Sequence, residues 1–92
     1  MNYSELHYIL CIAKHQNLTR AAQELYISQP TLTKHLQKLE REMGAKLFSR
    51  NGNTYVPTYT GRKYMEYARK ILQVKQDWEK ELKDLTENNE GE

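Results

Sequence analysis

The side chains best suited to recognition chemistry fall in one short run. Ser28, Gln29, Pro30, Thr31, Thr33 and Lys34 cluster where a helix should begin. Ser28 is a favoured N-cap, and Pro30 belongs to a first turn, where its missing N–H costs nothing. A helix N-terminus offers free N–H groups and the positive end of the dipole, which together suit a phosphate. The small hydroxyls of Ser28 and Thr31 lie there. The amide of Gln29 matches an adenine edge, and Lys34 suits a guanine edge or a phosphate. At about 100° per residue, Pro30, Lys34, Gln37, Lys38 and Arg41 lie opposite the apolar stripe of Leu32, Leu36, Leu39 and Met43. A solvated helix face would show the same pattern.

Other reactive types carry less. His7, Cys11 and His15 recur every four residues and could line one helix face as metal ligands. They lie away from that helix's apolar stripe, and no fourth ligand accompanies them, so no metal and no cofactor is expected. Ser28 with His35 lacks the third group and the pocket of a hydrolase, and no catalytic residue is assigned. Glu40, on a helix that should approach a polyanion, reads as a structural partner for an Arg or a backbone group. The seven tyrosines read as half-buried packing residues, not as stacking platforms. With 92 residues the chain cannot hold a Rossmann sheet plus a substrate domain, or an α/β barrel. Cys11 is its single cysteine, which excludes an internal disulfide and fits a reducing, cytoplasmic setting. The N-terminus lacks the basic start and apolar block of an export signal, and no membrane span is expected.

Elements follow from the apolar period. Tyr3, Leu6, Ile9, Leu10 and Ala13 predict a first helix to about His15. Thr19 reads as the cap of a short second helix, with Ala21, Ala22 and Leu25 on its inner face. The paired alanines predict close approach of another helix. The third helix runs from Ser28 to Gly44, a natural C′ residue. Lys46–Arg50 and Thr54–Val56 are strand-like, and Asn51-Gly52-Asn53 between them predicts a hairpin closed by Pro57. Thr60 opens a last helix of about 25 residues. Along it Tyr64, Ala68, Ile71, Lys75, Trp78, Leu82 and Leu85 form a seam at alternating spacings of four and three. Lys75 sets register there at some cost in stability, and Met65 and Leu72 form a second row that packs on the body. Trp78, Leu82 and Leu85 lie beyond what the body can cover, which predicts a dimer. The expected units are residues 1–59, a helix over 60–87 and a polar tail over 88–92.

The formal net charge of +2 hides an asymmetry. Residues 1–75 hold 12 Lys/Arg and 5 Asp/Glu, a balance of +7; residues 76–92 hold 2 and 7, a balance of −5. A basic body suits a polyanion.

Residues 3–62 resemble the N-terminal domain of LysR-type bacterial transcriptional regulators. The resemblance rests on Leu18-Thr19-Arg20-Ala21-Ala22, Ile27-Ser28-Gln29-Pro30, Leu39-Glu40, Leu47-Phe48 with Arg50, and Thr58 with Gly61, in this order and spacing. Residues 63–87 resemble the family's linker helix, which pairs two protomers. The resemblance implies a mainly α fold: a winged helix-turn-helix of three helices and a two-stranded wing, followed by a long dimerisation helix. The helix-turn-helix would span about 18–37 and the wing about 46–57. It further implies a non-enzymatic, sequence-specific binder of double-stranded DNA. Gln29, Pro30, Thr33 and Lys34 would face bases. Ser28, Thr31 and the wing residues Arg50 and Asn53 would face the backbone, joined by Thr19 and Lys38. Many family members are basic at the position of Asn53. The family's effector-binding domain has no counterpart in these 92 residues, so an excised fragment or a truncated form is expected. The linker helices are expected to pair antiparallel, which would set each acidic end beside the partner's basic half.

Overall fold

The computed structural model describes residues 2–88. Helices α1 (Tyr3–His15), α2 (Leu18–Leu25) and α3 (Gln29–Met43) precede strands β1 (Phe48–Asn51) and β2 (Thr54–Pro57), and helix α4 (Tyr59–Asn88) follows. This is a winged helix-turn-helix with a long last helix, as expected. The two strands are antiparallel, pairing Phe48 with Pro57 and Asn51 with Thr54. Gly52, at φ 63°, turns the loop between them, a backbone conformation that glycine adopts without steric cost.

Caps fix the helix ends. Asn2 accepts the Glu5 N–H at 2.9 Å and opens α1. Ser28 opens α3 by accepting the Thr31 N–H at 3.2 Å, and Gly44 closes it at φ 69°. Two expected caps move. Asn17, not Thr19, starts the short helix, and its side chain accepts the Arg20 N–H at 2.9 Å. Asn is at least as good a cap as Thr, and it occurs first along the chain. Likewise Thr58, not Thr60, accepts the Gly61 N–H at 3.0 Å, and α4 starts at Tyr59. That helix runs 30 residues, beyond the expected 25 or so, and takes in Asn88. Residues 89–92 of the expected tail lie outside the described residues.

All the short elements share one core. Leu6, Ile9 and Ile12 of α1 meet Leu18, Ala21 and Ala22 of α2 and Leu32, Leu36 and Leu39 of α3. Ala21 and Ala22 are fully buried or nearly so, which fits the close helix approach their size allows. Leu47 and Phe48 close the core from the wing side, and Tyr64, Met65 and Ala68 close it from α4. Cys11 also belongs to this core, contrary to its expected place off the apolar stripe. Its Sγ lies 3.6 Å from the Ala21 carbonyl, so the stripe is wider than periodicity suggested because α2 covers α1's flank. The tyrosines divide differently as well. Tyr64 is buried and Tyr8 and Tyr55 are half-buried, but Tyr3, Tyr26, Tyr59 and Tyr67 are exposed. A helical period cannot tell a covered flank from an open one when neighbouring elements are as short as these.

Hydrogen bonds tie the wing to the body and to the start of α4. The Glu40 carboxylate accepts the N–H groups of Leu47 at 2.7 Å and Phe48 at 3.4 Å. Glu40 is thus the structural partner of backbone groups that its position suggested. Tyr55 N–H donates to the Gln16 carbonyl at 2.9 Å, and Thr58 N–H to the Leu47 carbonyl at 2.9 Å. Gly61 sits against that same carbonyl, and a Cβ there would overlap it. α4 then leaves the body. The molecule measures 59 × 26 × 20 Å, with the long dimension set by this helix.

Candidate nucleic-acid interface

The first turns of α3 bring the expected recognition residues together on one open face. Gln29, Pro30, Thr31 and Lys34 are exposed, and Thr33 is half-buried. Short polar links order them. Ser28 Oγ donates to Thr31 Oγ1 at 2.8 Å. Gln29 Nε2 donates to Thr33 Oγ1 at 2.6 Å, and Thr33 Oγ1 donates to the Gln29 carbonyl at 3.0 Å. The Gln29 amide is therefore held, with its oxygen and one N–H left for an outside group. Lys38 and Arg41 continue the face toward the C-terminus, both exposed. Among the described residues, no acid pairs with Lys34, Lys38 or Arg41. Unpaired cations along an exposed helix leave a positive field toward solvent.

Thr19 lies exposed in the first turn of α2. The wing adds Arg50 and Asn53. Asn53 is exposed at the tip. Arg50 folds back on the hairpin, its Nε donating to the Gly52 carbonyl at 2.9 Å and its guanidinium lying 5.6 Å from the centre of the Tyr55 ring. This fixes the side chain while leaving its terminal amino groups for a further acceptor. Tyr26, not singled out by the sequence, is 94% exposed in the tight turn between α2 and α3 at φ 57°. A bulky residue in that backbone region is uncommon.

The seam on α4 splits in two. Tyr64 and Ala68 are buried in the chain's own core, and Ile71 and Lys75 are half-buried. Lys75 Nζ lies 5.1 Å from the centre of the Tyr3 ring and 2.8 Å from a Glu79 oxygen. Trp78, Leu82 and Leu85 are exposed, together with Val74. Among the described residues the buried Tyr64 hydroxyl finds no hydrogen-bond partner, and burial first, then the charge of Glu5, pushes its pKa up to about 12.

The candidate metal ligands separate as well. His7 is exposed and apart. Cys11 and His15 instead meet Glu24 of α2, at 3.3 Å from Sγ to Oε2 and 2.9 Å from Nε2 to Oε1. Hydrogen bonds from Lys14, His15 and Cys11, in that order, hold the Glu24 carboxyl down at about 2. Burial and then Glu24 push the Cys11 thiol up to about 11.

Comparison with known proteins adds to this geometry. Residues 3–62 match the profile of the family described as bacterial regulatory helix-turn-helix protein, lysR family. The chain is 36% identical over 91 residues to the HTH-type transcriptional regulator CitR of Bacillus subtilis (strain 168), covering 99% of this chain and 30% of that one. It therefore spans less than a third of that relative's length. The BenM DNA-binding domain, solved in complex with catB site 1 DNA, superposes with a TM-score of 0.89 at 29% identity, covering 97% of this chain and 96% of that one. The CbnR DNA-binding domain, solved in complex with DNA, gives 0.82 at 30% identity, covering 90% and 95%.

Proposed function

The chain belongs to the LysR family of bacterial regulatory helix-turn-helix proteins, and from that membership we propose that it binds double-stranded DNA sequence-specifically as a homodimer. α3 enters the major groove. Gln29, Pro30, Thr33 and Lys34 meet base edges, while Thr19, Ser28, Thr31, Lys38, Arg50 and Asn53 meet the sugar–phosphate backbone. The observation that carries this reading is the open face of α3, polar at its N-terminus and with cations that no acid pairs among the described residues. The solved DNA complexes of BenM and CbnR domains support it. The relatives are transcriptional regulators, which supports a non-enzymatic role. Among the described residues no helix is long and apolar enough to cross a membrane, and we place the protein in the cytoplasm with its DNA.

Dimerisation falls to the distal half of α4. Tyr64 and Ala68 are spent on the chain's own core. The interface then rests on Ile71, Lys75, Trp78, Leu82 and Leu85. Covering one large apolar side chain yields about 1.5–3 kcal/mol, so three exposed ones supply a useful driving force. Antiparallel pairing sets the acidic distal half beside the partner's Arg62, Lys63, Arg69 and Lys70, and high salt should loosen it.

The test is a mobility shift with Lys34 and Lys38 each changed to Glu. DNA binding should collapse while circular dichroism stays unchanged. Undiminished binding would remove α3 from the interface. In parallel, sedimentation of Trp78→Asp should show a lighter species. An unchanged mass would remove α4 from the dimer.

A further inference from the structure

We propose that Cys11, His15 and Glu24 form a binding site for a borderline-soft divalent transition-metal ion, Zn2+ by preference, bridging α1 and α2. Cys11 and His15 stand one helical turn apart on α1, and Glu24 reaches in from α2. Their three ligand atoms all lie within 4.8 Å of one another. Tetrahedral zinc, with bonds of about 2.0–2.3 Å, holds neighbouring ligands roughly 3.3–3.8 Å apart. Sγ lies 3.3 Å from Oε2 and Nε2 lies 2.9 Å from Oε1. These are the two different oxygens of the carboxylate, so binding through one of them requires the exposed Glu24 side chain to turn and to open by a few tenths of an ångström.

The donor set selects the ion. Thiolate and imidazole favour zinc, cobalt or copper, and they exclude magnesium and calcium, which demand oxygen. The site has an entrance, since the side chains of His15 and Glu24 are 24% and 45% exposed. The thiol lies on the inner side, so an ion entering past His15 and Glu24 meets Sγ last. The ion displaces the thiol proton to solvent and bonds Sγ, Nε2 and a Glu24 oxygen, with water in the fourth position. Lys14 Nζ, now 2.8 Å from Glu24, must leave. Its side chain is 64% exposed and can swing into water. The bridge would pin the C-terminal turn of α2 to α1 at Glu24, two residues before Tyr26 and the turn into α3.

Cobalt provides the test, because thiolate-bound Co2+ absorbs in the near-ultraviolet. Reduced, chelator-stripped 92-residue chain should develop this band and saturate at one Co2+ per chain, and Zn2+ should bleach it. Cys11→Ser should abolish the band. His15→Ala and Glu24→Gln, both at solvent-facing positions that spare the core, should each weaken Co2+ binding by about tenfold or more, and His7→Ala should not. Zn2+ should raise the melting temperature of the native chain more than that of Glu24→Gln at the same concentration. No band at excess Co2+, or a band equally strong in His15→Ala and Glu24→Gln, would overturn the proposal.

Discussion

Replacing Glu40 by alanine should detach the wing from α3, and its cost can be worked from the contacts. Glu40 Oε2 accepts two N–H groups, at 2.7 Å from Leu47 and 3.4 Å from Phe48. Leu47 is fully buried and Phe48 nearly so, so water cannot replace the carboxylate without opening the core. A hydrogen bond to a charged acceptor contributes about 1.5–3 kcal/mol, and a buried N–H left without a partner costs about 1–3 kcal/mol. The shorter bond dominates, the longer one adds a fraction, and the loss should be about 3 kcal/mol. Urea unfolding followed by far-ultraviolet circular dichroism measures it. With a slope near 1 kcal/mol per molar for a domain this small, the midpoint should fall by about 3 M. Trp78 is a poor reporter here, since it lies exposed on α4, away from the core. Protein concentration must be held fixed because dimerisation adds to apparent stability. Glu40→Gln should lose less, since it keeps an accepting oxygen without the charge. Lys46→Ala serves as the control. Its ammonium lies 3.7 Å from Glu40 but is 77% exposed, and removal should cost under about 1 kcal/mol. A Glu40→Ala loss below about 0.5 kcal/mol would refute the reasoning that this carboxylate anchors the wing.

Gly61→Ala should destabilise the fold, although a glycine-to-alanine change in a helix usually stabilises it, because its Cβ would overlap the Leu47 carbonyl; a melting temperature at or above the native value would contradict this. Glu24, held at about 2 by its partners, supports the fold above its ordinary pKa of 4.5, and that support drains away as pH falls from there through about 2. In chelator, Glu24→Gln should therefore show a shallower stability loss over that window, and identical pH profiles would remove the carboxylate from the account. Gln29→Ala should flatten base preference at one operator position while leaving backbone-driven affinity largely in place; selection on variant operators reads this directly.

Local features of the fold were legible because their signals are local. The Ser28 cap, Pro30 in the first turn and Gly44 at the end delimit α3 without reference to anything distant. Gly52 between strand-like runs does the same for the wing. What escaped was set by partners far along the chain. Glu24 joins Cys11 and His15 only because α2 folds back across α1, so a period of four along α1 named His7 instead. Tyr64 and Ala68 fit a heptad seam as well as the outer residues do. Only the depth of the body decides that they face inward while Trp78 and Leu82 do not. The Asn17 cap lost to Thr19 by a choice between two good capping residues two positions apart. The polar face of α3 was readable from angles alone, but the Gln29–Thr33 link that orders it depends on side-chain rotamers that a helical period does not specify.

The division of charge now has a place in the structure. The basic part includes α3 and the proximal half of α4, and the acidic part begins where α4 has left the body. Phosphate neutralisation by the first should dominate affinity. A dimer covering about eight phosphates would give a slope near −7 in log K against log salt.

The most direct test of sequence-specific binding is selection of bound duplexes from a random pool, with the 92-residue chain at physiological salt. A dimer with two recognition helices should enrich a partial inverted repeat whose half-sites are centred about one helical turn, roughly 34–36 Å, apart. Recovery of a pool with no enriched sequence, bound as tightly as any scrambled duplex, would contradict it.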